Sequence, residues 1–343
     1  MLRAIIIGGT GYTGGELLRL LLPHPCVEVV AVSSRAEAGR PITDVFPHLS
    51  GATQLEFVEP TVELIESCDV AFFATPHGVA QSMVGDIDLS RVKIIDLSAD
   101  FRIKDVPLWE RWYGQPHQAV DKLKQAVYGL PELYRADIEK ASLIACAGCY
   151  PTSVLLGFMP LLKEGCIETS DLIANSASGV SGAGKSAKED LLFGELNDSF
   201  KAYGAAGHRH LPEIRHYLSQ ISGSEVGLTF VPHLLPIIRG IHSTLYCKVK
   251  EPAANLQAIF ESAYADEPFV EVLPAGQHPQ TRRVKGTNRV QIAVHRPEGG
   301  DTAVILVVED NLTKGASGQA VQCMNITFGF DELTGLQGLA MAP

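Results

Sequence analysis

Apolar runs separated by polar breaks predict strands that alternate with helices in the first part of the chain. The run from Leu2 to Ile7 is apolar at every position but one, which is typical of a strand buried on both faces of a parallel sheet. A helix is predicted at residues 16–22, where Pro23 ends it. Further buried strands are predicted at residues 27–32, 69–74 and 92–97.

Alternating and β-branched segments predict a second sheet beyond the middle of the chain. A helix is expected beside that sheet at about residues 253–265, and the sheet is expected to be mostly antiparallel. A last helix, over residues 310–325, has a face of small residues and is expected to return to the first domain. The strands of the second sheet are expected at residues 171–178, within 225–250, at 289–295 and at 302–309.

These elements predict an α/β protein of two domains, which a length of 343 residues allows. A Rossmann-type dinucleotide-binding domain would span residues 1–148 and 311–343. An α+β catalytic and dimerisation domain, with the mostly antiparallel sheet, would span residues 149–310. Residues 103–142 are expected to form a surface extension of the first domain, and we assign no chemistry to them.

Composition excludes several classes of function. A net charge of −11 argues against a nucleic-acid partner, since no basic stripe is present. No apolar run reaches about 18 residues, so we expect no membrane span. No signal peptide is apparent, and the seven scattered cysteines are typical of reduced thiols, so we expect a cytoplasmic protein.

A glycine-rich turn joins the first strand to the first helix. Glycines in such a turn let a pyrophosphate approach the backbone at a helix N-terminus. The spacing is Gly-x-x-Gly-x-x-Gly, not the usual Gly-x-Gly-x-x-Gly, and a glycine turn that binds no ligand is the alternative. The residues expected to bind the cofactor here are Gly8, Thr10, Gly11, Tyr12, Thr13 and Gly14.

The second strand ends in Ser33, Ser34 and Arg35, where an enzyme that prefers NAD usually has an acidic residue for the ribose 2′-hydroxyl. Two hydroxyls and a guanidinium suit a 2′-phosphate instead, because they form charge-assisted hydrogen bonds with it. We therefore expect NADPH/NADP as the cofactor. The alternative is a solvated loop in which the arginine is incidental.

Polar residues also follow the next two predicted strands. Ligands of open parallel sheets bind beyond the carboxyl ends of the strands. Thr75, Pro76 and Ser98 are therefore expected to contact the cofactor, and Arg102 is a candidate ligand-binding residue. His77 could contact a ligand or cap a turn.

A strand, a glycine turn and a helix start surround Cys149. Pro151 is predicted to be the first residue of the helix, which places the Cys149 thiol at a helix N-terminus. The helix dipole favours the thiolate there, and a thiolate attacks acyl groups. Cys149 is thus a candidate covalent nucleophile. Cys146 and Cys149 also have the spacing of a redox Cys-x-x-Cys pair, but we interpret Cys146 as a core residue.

A second loop of small residues follows the strand at 171–178. Its spacing from Gly179 to Ser186 fits a P-loop, but a dinucleotide fold already accounts for the N-terminus, so we favour backbone amides that face an anionic substrate. Asn311, in the last helix, is expected near the nicotinamide. The loop residues assigned to the cofactor are Ser178, Gly179 and Gly182, and those assigned to the substrate are Ser181 and Lys185.

His208 and His210 flank an arginine after a glycine turn, a pattern that favours general acid–base chemistry. A solvated helix start is one alternative. A metal site is another, but the remaining histidines show no ligand spacing, so we expect no metal. The sequence alone does not rank the two histidines.

Taken together, these motifs resemble the N-acetyl-gamma-glutamyl-phosphate reductase family, relatives of aspartate-semialdehyde dehydrogenase. The resemblance covers nearly the whole chain in the order of the family. The segments that carry it are Gly8–Gly14, Asp96–Arg102, Tyr128–Glu132, Ala147–Thr152, Ser178–Lys185, His208–Glu213, Pro274–Gln277 and Asp310–Gly315.

The resemblance implies reduction of an acyl phosphate by NADPH, a step of arginine biosynthesis that gives N-acetyl-L-glutamate 5-semialdehyde and phosphate. It implies that Cys149 forms a thioester, that His208 handles the proton and also contacts the substrate, and that Arg102 binds phosphate. It also implies a homodimer or homotetramer. The alternatives are a related reductase of aspartyl phosphate or of a carrier-bound aminoadipyl or glutamyl phosphate, and a non-catalytic dinucleotide-binding protein.

Overall fold

The computed structural model describes residues 1–251 and 253–341. These residues form two compact units. The first contains Met1–Ala147 and Ala316–Gln337, and the second contains Gly148–Gly315 and the segment from Gly338 to Met341. No helix in the described part of the chain is both long enough and apolar enough to cross a membrane.

The first unit is a seven-stranded parallel sheet with helices in its connections. Its strands are β1 (Leu2–Ile7), β2 (Val27–Ser33), β3 (Phe57–Val58), β4 (Val70–Phe73), β5 (Lys93–Asp96), β6 (Val127–Gly129) and β7 (Leu143–Cys146). Its first seven helices are α1 (Tyr12–Leu21), α2 (Ile42–Val45), α3 (Val62–Glu66), α4 (Val79–Val84), α5 (Val106–Tyr113), α6 (Val120–Gln125) and α7 (Pro131–Ile138).

The sheet has the order β3-β2-β1-β4-β5-β7-β6, and every pairing is parallel. Strands β4 and β7 are buried at every residue, as the continuous apolar runs predict. The Rossmann-type fold class is therefore confirmed. The order reverses between β1 and β4, which is where open α/β sheets bind their ligands.

Residues 103–142 are more than a surface extension, and that prediction was wrong. Strand β6 joins the sheet at its edge beside β7. Trp109 of α5 is completely buried, stacks on Tyr113 and donates its indole N–H to the carbonyl oxygen of Ala99. The sequence hides this strand because it has only three residues, too few to show a period.

The second unit is built on the predicted second sheet. Its helices are α8 (Cys149–Lys163), α9 (Phe193–Leu196), α10 (His210–Ser222) and α11 (Leu256–Ala263). Its strands are β8 (Leu172–Gly179), β9 (Lys201–Ala202), β10 (Leu228–Leu235), β11 (Ile241–Lys248), β12 (Val270–Val272), β13 (Val290–His295) and β14 (Thr302–Glu309).

The sheet of the second unit is mostly antiparallel, as predicted. Its order is β12-β13-β14-β11-β8-β10-β9, and only the β12–β13 and β8–β10 pairs are parallel. Helix α8 packs against β11 and β14. The contact is close because Gly157 has no side chain: a Cβ atom there would lie 2.2 Å from Leu245 Cδ1.

A buried row of hydroxyls fixes the first turns of α8 on this sheet. The Ser243 hydroxyl, in β11, lies 2.7 Å from the hydroxyls of both Ser153 and Ser176. All three residues are completely buried. Because buried hydroxyls need partners, this row sets the position of α8 and of the residues at its start.

The last predicted helix begins later than expected. Asp310 Oδ1 accepts the N–H groups of Leu312 and Thr313, which turns the chain directly after β14. A π-helical turn at Thr313–Ser317 follows, and only then does α12 (Gly318–Thr327) begin. In the first unit, α12 packs against α1 and α7.

Candidate active site

The glycine turn of the first unit brings β1, β4 and α1 close together. Gly8 has φ = +78°, and a Cβ atom on it would lie 2.8 Å from the Thr75 side chain. A Cβ atom on Gly14, inside α1, would lie 2.4 Å from the carbonyl oxygen of Gly9. Gly11 caps α1 without a side chain and has no atom within 4 Å on its Cβ side. A helix N-terminus without a side-chain cap fits an anionic group such as a pyrophosphate.

Polar groups beside this turn also fit a dinucleotide. Gly9 N–H donates to the carbonyl oxygen of Ser33, and the Ser33 hydroxyl lies 3.4 Å from the Gly8 nitrogen. Ser34 is buried and Arg35 is exposed. The Thr75 hydroxyl is buried without a hydrogen-bond partner among the described residues, as expected of a group that awaits a polar ligand.

The other predicted strand-end residues divide into two groups. Pro76 and His77 are exposed, and the His77 ring lies 5.4 Å from that of Tyr113. Ser98 and Arg102 are buried: the Ser98 hydroxyl donates to Asp96, and Arg102 Nη2 donates to the carbonyl oxygen of Leu97. The structure therefore gives Ser98 and Arg102 internal partners, which the sequence pattern did not reveal.

This buried network is electrostatically strained. Asp96 is completely buried, and its burial followed by the charge of Asp100 raises the pKa of the Asp96 carboxyl above its usual range. The Arg102 guanidinium acts in the opposite direction. A structural task for Arg102 thus accompanies the phosphate contact predicted for it.

Cys149 is the first residue of α8, and Gly148 is its N-cap. The expectation that Pro151 begins the helix was wrong, because Pro151 is the third helical residue. A helix accepts proline there because the first N–H groups have no intrahelical partner. The thiol thus lies in the first turn, where the helix dipole favours the thiolate.

Two neighbours confine Cys149 within the second unit. Glu213 Oε1 accepts the N–H of Gly148 at 2.9 Å, and the Glu213 side chain is completely buried. Gly315 lies against the cysteine itself: a Cβ atom there would be 2.8 Å from Cys149 Cβ and 3.0 Å from Glu309 Oε1.

Both predicted histidines lie beside the residue that follows the cysteine. The rings of His208 and His210 each have their centroid 5.9 Å from that of Tyr150, and they are 4.9 Å from one another. Tyr203 and Phe230 contact His208 from other sides, at 5.7 Å each. We call these five residues the aromatic cluster.

A chain of hydroxyls links the aromatic cluster to the sheet. The Tyr150 hydroxyl donates to the carbonyl oxygen of His233, and it lies 3.0 Å from the Tyr203 hydroxyl. Tyr203 must donate in that second bond, because each hydroxyl has one hydrogen. Burial of its hydroxyl raises the pKa of Tyr203 to about 12, and the charge of Cys149 acts in the same direction.

The two histidines have different surroundings. His208 Nδ1 lies 3.1 Å from the backbone nitrogen of His210 and accepts its N–H, so a neutral His208 has its hydrogen on Nε2. Burial, followed by the charge of Arg209, lowers the pKa of His208 to about 4. His208 is therefore neutral near pH 7. His210 is the first residue of α10, three positions before Glu213.

The second small-residue loop is held together by the predicted residues themselves. The Asn311 amide donates to the Ser181 hydroxyl and accepts the Gly240 N–H. A Cβ atom on Gly182 would lie 2.9 Å from the Ser178 hydroxyl, which donates to the carbonyl oxygen of Gly179. Exposed Lys185 follows a short 3-10 turn, and no helix begins at it, so the loop lacks the helix N-terminus of a P-loop. In the described part of the chain, no three metal-ligating side chains converge.

Family models match both units. Residues 3–141 match the model described as "Semialdehyde dehydrogenase, NAD binding domain", and residues 149–311 match "Semialdehyde dehydrogenase, dimerisation domain". Over the full length of both chains, this protein is 59% identical to the N-acetyl-gamma-glutamyl-phosphate reductase of Saccharophagus degradans and 58% identical to that of Cellvibrio japonicus.

The chain belongs to the N-acetyl-gamma-glutamyl-phosphate reductase family.

The family expected from the motifs is thus confirmed. The reductase of Pseudomonas syringae, 57% identical over the full length of both chains, supports the same assignment. Among solved structures, aspartate semialdehyde dehydrogenase II of Vibrio cholerae has a TM-score of 0.72 at 15% identity, with 96% of this chain and 98% of that chain covered. The enzyme of Candida albicans, solved with NADP, has a TM-score of 0.70 at 15% identity and covers 95% and 98% of the two chains. These likenesses show the shared fold.

Sequence reasoning gave no role to several residues that this family member places near Cys149. Tyr150, Tyr203 and Phe230 form the aromatic cluster with the histidines, and Glu213 and Gly315 contact the cysteine or its cap. One sequence signal was present for Glu213. It lies three positions after His210, which places both on one face of a helix.

Proposed function

We propose that this protein reduces N-acetyl-L-glutamyl 5-phosphate to N-acetyl-L-glutamate 5-semialdehyde and phosphate, with NADPH as the reductant. Relatives that match over their full length are named for this reductase. The observation that carries the proposal is a cysteine at the first residue of a helix, with a histidine pair beside the tyrosine that follows it. A thiol at a helix N-terminus suits attack on an acyl phosphate.

In the proposed first step, the Cys149 thiolate attacks the acyl carbon. A bond forms between the sulfur and the acyl carbon, and the bond between the acyl carbon and the phosphate oxygen breaks. Phosphate leaves with the electron pair of the broken bond. The product is a thioester on Cys149. The N–H groups of Cys149 and Tyr150, at the start of α8, are proposed to stabilise the charge that develops on the carbonyl oxygen in this step.

We assign the proton transfers to His210. His208 is neutral, its Nδ1 already accepts a backbone N–H, and burial has lowered its pKa to about 4, so it is a poor base near pH 7. His210 takes the thiol proton when the thiolate first forms, takes a proton from solvent in each later turnover, and passes that proton to the departing phosphate. The resemblance favours His208 for this task. In our proposal, His208 instead offers its Nε2 hydrogen to the substrate.

NADPH, when bound, supplies the hydride that reduces the thioester. The oxyanion left on the substrate then reforms the carbonyl, and the C–S bond breaks with its electron pair on sulfur. The aldehyde departs and the thiolate is restored for the next cycle. One proton from solvent is consumed in each turnover, which matches the proton that His210 delivers to phosphate.

The glycine turn of the first unit supports the cofactor assignment. We propose that Thr10, Tyr12 and Thr13 hold the pyrophosphate with the backbone of the turn, since α1 has no side-chain cap. Exposed Arg35 and buried Ser34 would hold the 2′-phosphate of NADPH. Thr75, with its unpartnered hydroxyl, would contact the same ligand. Pro76, Ser98, Ser178, Gly179, Gly182 and Asn311 remain proposed cofactor residues.

For the substrate, we propose contacts from Ser181, Lys185 and Arg102. Lys185 is exposed at the end of a glycine loop, which suits a mobile cation for an anionic ligand. The Ser181 hydroxyl accepts the Asn311 amide and keeps its own hydrogen for the substrate.

We also propose a cytoplasmic homodimer or homotetramer. The second unit matches a dimerisation domain. One face of its sheet is only half-buried and bears large apolar residues among polar ones, a composition that another subunit could cover. The residues of that face include Ile173, Val231, Tyr246 and Leu306.

The direct test compares acyl phosphates in an NADPH oxidation assay. We expect turnover with N-acetylglutamyl phosphate and little with aspartyl phosphate. A preference for aspartyl phosphate would overturn the substrate assignment but keep the reaction class. No thiol-dependent NADPH oxidation with either compound would favour a non-catalytic dinucleotide-binding protein.

A further inference from the structure

Glu213 is a buried acidic residue to which the proposed reaction gives no task. It lies in α10, and its side chain is completely buried. Its Oε1 accepts the N–H of Gly148 at 2.9 Å across 65 residues of sequence. Gly148 immediately precedes Cys149 and has no side chain to cap α8. Glu213 therefore supplies from another helix the acceptor for the N-cap N–H that a glutamate at the third helical position supplies in a capping box, a position that Pro151 occupies here.

The carbonyl side of Gly148 is held as well. Its oxygen accepts the N–H of Thr152 at 2.9 Å and the Thr152 hydroxyl at 3.0 Å. Glycine has wide backbone freedom, so an unsupported glycine at this place would let the next residue rotate. With bonds on both sides, Gly148 holds the start of Cys149 in one orientation.

The same helix also bears the proposed acid–base residue. His210 and Glu213 are separated by three residues in α10, so they lie on one face of it. A shift of α10 would move His210 and would simultaneously release Gly148. The Glu213 side chain thus links the position of His210 to the position of Cys149.

We propose that Glu213 is a positioning residue that fixes the Cys149 nucleophile through Gly148. This inference rests on the proposed role of Cys149. Gly148 is then not one of the donors to the oxyanion, because its N–H already donates to Glu213. The donors that the first turn can offer are then Cys149 and Tyr150, because Pro151 has no N–H and the Thr152 N–H is bonded to the Gly148 carbonyl.

Three substitutions separate positioning from general stability. Glu213→Gln keeps an oxygen acceptor of the same reach, Glu213→Asp withdraws the carboxylate by one methylene, and Glu213→Ala removes it. A misplacement of about 1 Å near the reacting atoms costs about 100-fold in rate. We expect E213D and E213A to lose about 100-fold in kcat with little change in KM for NADPH, and E213Q to lose less than about 10-fold.

The decisive readout is the single release of phosphate when the acyl phosphate is added without NADPH. That release reports attack by Cys149 alone, so a slower burst in E213D than in E213Q supports the proposal. Gln220→Ala, at the other end of α10, is the matched control and should keep the native burst. Equal bursts in E213D and E213Q would overturn the proposal, even if E213A does not fold.

Failure of the proposed function would look different. If Cys149 is not the nucleophile, Cys149→Ser will keep NADPH turnover and the native enzyme will show no phosphate burst. If only the Glu213 assignment is wrong, the native burst will be present and the E213D burst will equal it.

Discussion

A methyl group at Gly315 should disable the enzyme without unfolding it. The added carbon would lie 2.8 Å from Cys149 Cβ and 3.2 Å from Cys149 Cα. Carbon atoms pack at about 3.5–4.0 Å, so the cysteine would have to retreat by about 1 Å. Glu309 Oε1 would lie 3.0 Å from the same added carbon, so it adds to the crowding at Gly315.

The retreat should appear in the rate of the chemical step. A displacement of about 1 Å at a reacting group costs about 100-fold, which corresponds to about 2.7 kcal/mol in activation free energy. We expect kcat of Gly315→Ala to fall by that factor, while KM for NADPH changes less than about threefold. Overpacking should also lower the free energy of unfolding by about 1–3 kcal/mol, which denaturant titration measures.

A second glycine provides the control for this experiment. Gly194 is in the same unit, and a Cβ atom there would have no neighbour within 4 Å. Gly194→Ala should therefore keep native activity and stability. A folded G315A enzyme with kcat within twofold of native would show that the position of Cys149 does not limit the rate in this way.

Three further predictions follow from the site. Arg35→Ala should raise KM for NADPH by about 10–100-fold and leave KM for NADH unchanged, because charge-assisted hydrogen bonds to the 2′-phosphate are lost; an unchanged ratio of the two constants would contradict the NADPH assignment. Cys146→Ala should keep native turnover, since Cys146 is completely buried in the sheet, whereas a redox pair would lose it. Burial lowers the pKa of His208 to about 4, so only the unfolded chain gains a proton at His208 as pH falls from about 6.5. The free energy of unfolding should then decrease by on the order of 2–3 kcal/mol towards pH 4. Denaturant titrations should show a smaller decrease for His208→Gln than for the native protein, and the native decrease for the control His48→Gln. The same decrease in His208→Gln as in the native protein would contradict a lowered pKa of His208.

The local features of the fold could be predicted from the sequence. Strand β1 and the glycine turn were found because apolar runs and glycine spacing are local patterns. The place of Cys149 between a strand and a helix was predicted for the same reason, since a strand, a turn and a helix start are consecutive in the chain. The start of α8 was misplaced by two residues because proline is acceptable at any position of a helix's first turn.

The partners of the site residues could not be predicted. Glu213 reaches Gly148 across 65 residues, and Tyr203 reaches Tyr150 across 53, so both contacts depend on how α10 and β10 pack in the second unit. The different surroundings of the two histidines could not be predicted either. Their residue type is the same, and only the burial of His208 and its bond from the His210 backbone separate them.

The proposed reaction depends on a thioester between Cys149 and the acyl group of the substrate. The most direct measurement is mass spectrometry of the enzyme after incubation with N-acetylglutamyl phosphate in the absence of NADPH, alongside an assay of released phosphate. We expect one acyl group per chain, located on Cys149, with one equivalent of released phosphate, and neither the acyl group nor the phosphate with Cys149→Ser. Reduction of the substrate by Cys149→Ser at the native rate, or an acyl group on another residue, would contradict the proposed thioester.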